Sequence, residues 1–64
     1  MYVNGKQISI QNEISLSEFL KAEGYDALIV AVEKNGEIIP KRLFGNEMLC
    51  DSDKLEIVRF VGGG

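Results

Sequence analysis

Histidine and tryptophan are absent from these 64 residues, and there is only one cysteine and one proline. Without histidine, the usual zinc ligand sets and imidazole acid–base catalysis are excluded. A lone Cys50 allows neither an internal disulfide nor a multi-cysteine metal site. Positive charge is scarce: 7 Lys and Arg against 10 Asp and Glu leave a net charge of −3. Lys41-Arg42 is the only adjacent basic pair, so the clustered cations that nucleic-acid phosphates require are missing. No apolar run approaches the ~20 residues of a membrane span, and the first residues lack the pattern of a secretory signal. The expectation is a reduced, soluble, cytoplasmic protein with neither nucleic acid nor membrane as a partner.

What is present describes a small folded body. Hydrophobic residues make up 45% and charged residues 27%, an ordinary globular balance that argues against disorder. The length allows one domain, and a chain of this size buries only about 60% of its unfolded surface.

Asn4-Gly5 lies between apolar-bearing runs and signals a tight hairpin turn. Strands are expected near 1–4 and 7–11, with Met1, Val3, Ile8 and Ile10 inward. Ser15 followed by Glu18 reads as a capping box, with Ile14 and Phe19 placed for a hydrophobic staple. A helix is expected over 16–23, burying Leu16, Phe19 and Leu20, with Gly24 as its terminator. Residues 28–33 form a β-branched apolar run that reads as a central strand. Asn35-Gly36 is a second turn, and Pro40 confines the short strand after it to an edge. Residues 41–49 show no clean period; Leu43, Phe44, Met48 and Leu49 are expected to plug the core from a turn and loop. Asp51-Ser52-Asp53 is a polar turn before a last strand over 54–60. One helix on one face of a mixed sheet is an α+β, two-layer solution, and the first and last strands can pair in parallel at its centre. That arrangement is the β-grasp, or ubiquitin-like, fold.

The chain closes on Val58-Arg59-Phe60-Val61-Gly62-Gly63-Gly64. Three successive glycines at a given place arise by chance roughly three times in ten thousand. Lacking Cβ atoms, they can thread a narrow channel, and three extended residues reach roughly 10 Å. A β-grasp body over 1–61 and a flexible glycine tail over 62–64 are therefore expected; a frayed end or an engineering scar is the plain alternative. In the last strand Leu55 and Ile57 share one phase, while Glu56, Val58 and Phe60 share the other. If the first pair faces the helix, Val58 and Phe60 stand on the open face as a partner surface; the competing placement folds Phe60 over an edge of the core.

Other candidates are weaker. Cys50 reads as core packing rather than a reactive thiol, with Asp51 and Asp53 nearby in sequence. Glu33 and Glu37 read as a solvated hairpin end. Asp51 and Asp53 would need further oxygen ligands to hold a cation, so no metal site is expected. Lys41 and Arg42 read either as rim contacts to an acidic partner or as apolar stems covering the surface.

The element order, Val3-Asn4-Gly5-Lys6, Ser15-Leu16-Ser17-Glu18-Phe19-Leu20, Val30-Ala31-Val32, Asn35-Gly36-Glu37-Ile38-Ile39-Pro40-Lys41-Arg42 and Leu55-Glu56-Ile57-Val58 leading to Val61-Gly62-Gly63-Gly64 together resemble the small sulfur carrier proteins of thiamine biosynthesis. The resemblance covers essentially the whole chain and rests on order and spacing rather than on one motif. Two positions depart from it. Asp51-Ser52-Asp53 stands where that family usually has Asp-Gly-Asp, and Phe44 where it often has tryptophan. The resemblance implies no catalytic side chain and no bound cofactor. It implies a Gly64 carboxylate adenylated with ATP by an E1-like adenylyltransferase, converted to a thiocarboxylate through a sulfur donor enzyme, and spent on thiazole synthase. Gly62 and Gly63 would form the threading tail, and Val58, Phe60 and Val61 the partner contacts. The small subunit of molybdopterin synthase and a ubiquitin-like protein modifier share fold and tail and stand as alternatives, as does a scaffold domain with inert glycines.

Overall fold

The two Asn-Gly turns set the shape of the sheet. Asn4 and Gly5 have φ of 52° and 82°, and Asn35 and Gly36 have 52° and 88°; successive positive φ values are what a two-residue hairpin needs to match strand twist. The structure, a computed structural model, describes residues 1–60. Around the first turn, β1 (Tyr2–Val3) pairs antiparallel with β2 (Lys6–Gln7). These strands are shorter than 1–4 and 7–11, although Ile8 N–H still donates to the Met1 carbonyl at 2.8 Å. Next come β3 (Ile14–Ser15) and α1 (Leu16–Ala22).

The helix ends for the expected reason, and of the expected capping box one half is formed at its start. The Ser15 hydroxyl accepts from Glu18 N–H at 3.1 Å, satisfying one of the free donors of the first turn. At the other end Glu23 is the cap and Gly24 has φ +83°. Gly24 N–H donates to the Lys21 carbonyl and Tyr25 N–H to the Leu20 carbonyl, the paired bonds of a Schellman ending. Leu16, Phe19 and Leu20 are buried, each contributing about 1.5–3 kcal/mol of transfer free energy.

The expected strand over 28–33 is corrected at its start. Ala27–Ile29 form a turn of 3-10 helix, and β4 runs over Val30–Lys34. The cause is Asp26, whose Oδ1 accepts from Leu28 N–H at 2.9 Å; a carboxylate bonded two residues on curls the backbone before the strand begins. Then follow β5 (Glu37–Ile38), a 3-10 turn over Lys41–Leu43, β6 (Met48–Leu49) and β7 (Lys54–Arg59).

The main sheet has the order β2-β1-β7-β4-β5, with β1 and β7 parallel and the other pairs antiparallel. β7 is therefore the middle strand, and β4 lies one place from the edge. β3 and β6 form a separate two-stranded ladder that sequence reading did not anticipate. Of the expected plug, Phe44 and Leu49 are buried, Leu43 is half-buried and Met48 is exposed. Pairing accounts for this: Met48 and Leu49 lie side by side in a strand, so only one can face the core. The core joins Met1 and Val3 to the helix residues, Val30, Val32, Phe44, Leu49, Leu55 and Ile57. All of it lies on the helix side of the sheet, as the β-grasp arrangement requires.

Candidate functional site

The phase of β7 creates two unlike faces. Leu55 and Ile57 are buried under the helix, while Glu56 and Val58 are exposed. Val58 lies opposite Ala31, and Glu56 opposite Glu33, which in turn lies opposite Ile38 on β5. Tyr2 lies level with Lys54 on the neighbouring strand. The open face thus carries Tyr2, Val58 (59% exposed) and Ile38 (74% exposed) around two carboxylates. Phe60 extends the same phase at 57% exposure, so it points outward and does not fold over the core edge.

Phe60 is nonetheless held. Its N–H donates to the Ile29 carbonyl at 2.7 Å, one residue beyond the end of β7. The Lys41 ammonium sits 5.5 Å from the ring centroid and donates to the Leu28 carbonyl at 2.6 Å. A cation over an exposed ring contributes about 0.5–1 kcal/mol. Lys41 therefore ties the loop after β5 to the strand end, a role within the chain that sequence reading did not find. Val61, Gly62, Gly63 and Gly64, and with them the division between a body over 1–61 and a tail over 62–64, lie outside the described residues.

The other end of β7 is fixed by a polar network that sequence reading missed. Asp53 is 6% exposed. Its Oδ2 accepts from Cys50 N–H at 2.8 Å and its Oδ1 from the Asn35 amide at 3.0 Å. The Asn35 side-chain oxygen accepts from Lys54 N–H at 3.0 Å, the first residue of the strand. Lys34 adds its ammonium 3.8 Å from Asp53, while bonding Glu47 at 2.7 Å and the Met48 carbonyl at 3.0 Å. Burial pushes the Asp53 carboxyl up, but the bonds from Cys50 and Asn35 and the Lys34 charge outweigh it and hold it below the usual carboxylate range. The Glu47 bond raises Lys34 against the opposing effect of burial. A second side chain works on the far strand: Asn4 accepts from Ile57 N–H at 2.7 Å and donates to the Ile57 carbonyl at 3.2 Å, continuing the β1–β7 ladder past the end of β1.

Asp51 and Asp53 do not converge on a common point. Asp51 accepts from Ile10 N–H at 3.0 Å and from the Met1 amino group at 3.2 Å; the Ile10 bond first, then the amino group, hold its carboxyl low. Among the described residues no group of three or more His, Cys, Asp or Glu side chains is placed to hold a metal. Cys50 is half-buried with Sγ 3.3 Å from the Ser52 hydroxyl. Glu33 and Glu37 are exposed, but Glu33 belongs to the open face rather than merely to the hairpin end. Among the described residues no helix is long and apolar enough to cross a membrane. Among the described residues the arrangement offers a patterned open face that runs along β7 to Phe60.

Comparison with known proteins agrees with that picture. A family model, the ThiS family, matches residues 1–64. A sulfur carrier protein, ThiS, of Bacillus subtilis is 38% identical over 65 residues, covering 100% of this chain and 98% of that one. A thiazole synthase of Paramagnetospirillum magneticum is 39% identical over 64 residues, of which this chain spans only 20% of the length. A crystal structure of a thiamine biosynthesis protein from Geobacter metallireducens superposes with a TM-score of 0.81 at 33% identity, covering 98% of this chain and 96% of that one.

Proposed function

The chain belongs to the ThiS family, the sulfur carriers of thiamine biosynthesis, and on that premise we propose how it works. Gly64 presents its carboxylate to an E1-like adenylyltransferase. The carboxylate oxygen attacks the α-phosphorus of ATP and pyrophosphate leaves, giving an acyl adenylate. The outer sulfur of a persulfide on a donor enzyme then displaces AMP to give an acyl disulfide, and a second thiol attacks the donor's sulfur, forming a disulfide there and releasing the C-terminal thiocarboxylate. That sulfur goes to thiazole synthase. The carrier acts as a co-substrate rather than as an enzyme: a carboxylate is a poor electrophile, and activation comes from the partner and its ATP. Gly62 and Gly63 serve as the side-chain-free segment that a tunnel admits. Val58, Phe60 and Val61 meet the partner, and the setting is the cytoplasm.

One observation carries this reading: a sulfur carrier protein matches all of this chain over 98% of its own length, and the middle strand of the fold is the last element before the three glycines in sequence. The thiazole synthase of which 20% corresponds to this chain supports the choice of acceptor, because a carrier domain joined to its acceptor acts at high effective concentration. The test is intact-mass measurement after incubation with the adenylating enzyme, ATP and a sulfur source. A gain equal to the difference between sulfur and oxygen is expected for the full chain and none for a chain lacking Gly64. Lysine-linked adducts would support a protein modifier instead, and equal loading of the truncated chain would remove Gly64 from the mechanism.

A further inference from the structure

Both hairpin turns are Asn-Gly pairs, the sequence in which an asparagine side chain is most open to attack by the following backbone nitrogen, because glycine has no Cβ to obstruct it. At the second turn Asn35 and Gly36 are exposed, and a Cβ added at Gly36 would meet nothing within 4 Å. Gly36 N–H makes no hydrogen bond among the described residues, so the nucleophile is unencumbered. The electrophile is not. Asn35 Nδ2 donates to Asp53 Oδ1 at 3.0 Å, and Asn35 Oδ1 accepts from Lys54 N–H at 3.0 Å, so both ends of the amide are tied. The φ values of 52° and 88° are those of a type I′ turn, which sets ψ of its first central residue at about +30°. At that angle the Gly36 nitrogen points away from the Asn35 side chain, and closing a ring between them needs a backbone rotation out of the turn.

We propose that Asn35 is a site of intramolecular deamidation, barred while its turn is closed and reactive whenever Asp53 releases it, in preference to Asn4 of the first turn. The Gly36 nitrogen gives its proton to hydroxide and bonds to Asn35 Cγ; the Cγ–Nδ2 bond breaks and ammonia leaves, protonated by water. The succinimide then takes up one water. Opening at Cγ leaves an aspartate at position 35, and opening at the backbone carbonyl leaves an isoaspartate, with the main chain rerouted through the side chain. Water enters, ammonia leaves, and nothing is oxidised or reduced. Asn35 is tied to a side chain and to the first residue of β7, on a hairpin whose second strand is a two-residue edge. Asn4 is tied to both backbone groups of Ile57, at 2.7 and 3.2 Å, well inside the middle strand. Edges open at lower cost than strand interiors. The products differ too. A carboxylate at position 4 keeps the shorter bond to Ile57. At position 35 it keeps the Lys54 bond but opposes the Asp53 carboxylate, 6% exposed, where an N–H now donates; like charges that close in a shielded site repel strongly. Lys34, paired with Asp53 at 3.8 Å, is already held by Glu47 at 2.7 Å and the Met48 carbonyl at 3.0 Å. The product cannot rebuild the network, so a chain that opens and reacts stays loosened at the start of β7.

The experiment incubates the full chain at mildly alkaline pH, folded and in denaturant, and maps peptides by mass spectrometry with aspartyl and isoaspartyl products separated. Folded chain should react at Asn35 at least about tenfold more slowly than unfolded chain, and faster at Asn35 than at Asn4. Asp53→Ala should raise the folded rate at Asn35 by about tenfold or more and the rate at Asn4 by less. Thermal unfolding of two further variants reads the product: Asn35→Asp should melt at least about 4 °C below Asn4→Asp. Should Asp53→Ala fail to fold, the comparison of the two asparagines in the wild type and of the two aspartate variants still decides. Equal rates at Asn35 in folded and unfolded chain, or none in either, overturn the guarded site. Equal acceleration at both asparagines in Asp53→Ala makes the route global unfolding and overturns the local gate. An Asn35→Asp chain that melts no lower than Asn4→Asp tolerates the product and overturns the trapping.

Discussion

Replacing Asp53 by alanine should be among the most damaging single changes in this chain, although Asp53 lies in a turn and contributes nothing to the apolar core. Its carboxylate, 6% exposed, accepts from Cys50 N–H and from the Asn35 amide and sits near the Lys34 ammonium. Truncation leaves two donors facing a void. Bonds to charged groups contribute about 1.5–3 kcal/mol each, and water entering the turn recovers part of the loss, so the net cost is about 3 kcal/mol. A domain of this length has a total stability of roughly 3–10 kcal/mol. Each 1 kcal/mol moves the midpoint of so small a domain by about 4–8 °C, so the melting temperature should fall by about 12–25 °C. Asp53→Asn should lose about half as much, because its amide oxygen can still accept one of the two bonds while its NH2 meets the other donor. Circular dichroism melts at neutral pH, repeated as denaturant titrations, measure this. A fall of less than about 4 °C for the alanine variant would refute the reasoning: the Cys50 and Asn35 donors would then be satisfied without the carboxylate.

The same network predicts the pH dependence. Asp53 and Asp51 both have folded pKa values below the ordinary 3.8; a group depressed by folding stabilises above its unfolded value and loses that stabilisation as pH falls through the folded one. Melting temperature should therefore decline as pH drops below about 3.8, and Asp53→Asn should flatten the decline; an unchanged acid limb in that variant would contradict the assignment. Phe60→Ala should cost less than about 1 kcal/mol, since the ring is 57% exposed and loses mainly its contact with Lys41. Its affinity for the adenylating enzyme should fall further than its stability, as calorimetric titration would show; a large drop in melting temperature with unchanged affinity would return Phe60 to a structural role.

Local chemistry made most of the fold legible. Asn-Gly pairs set both hairpins, Ser15 and Gly24 bounded the helix, and the alternation of Leu55 and Ile57 with Glu56 and Val58 chose the faces of the last strand. The errors have local causes too. Residues 28 and 29 read as strand because Leu and Ile are apolar, yet Asp26 was the available signal for a turn. β3 and β6 have two residues each, too few to show a period. The Asp53 network stayed hidden because its members meet only through the fold: Asn35 and Asp53 are 18 residues apart, and Lys34 and Glu47 are 13 apart. The open face was half legible. Its outward phase could be read along β7, but the pairing of Glu33 with Glu56 depends on a register that no single strand contains.

That register links the two ends of β7. Sliding β7 by one residue against β4 would turn Leu55 and Ile57 outward and Glu56 and Val58 into the core. Slippage against β4 is resisted at the start by Asn35 holding Lys54 N–H and at the end by the Ile29 carbonyl on Phe60 N–H, while Asn4 on Ile57 holds β7 to β1 on its other side. Two of these clamps are side chains of the turn asparagines, the residues that also accept the positive φ of the hairpins. Turn chemistry and strand registration are therefore carried by the same positions, so a substitution that kept the backbone angles at Asn4 or Asn35 but removed the amide would preserve the hairpin and loosen the strand. The two turns, distant in sequence from β7, thus bear directly on how β7 is registered up to Phe60.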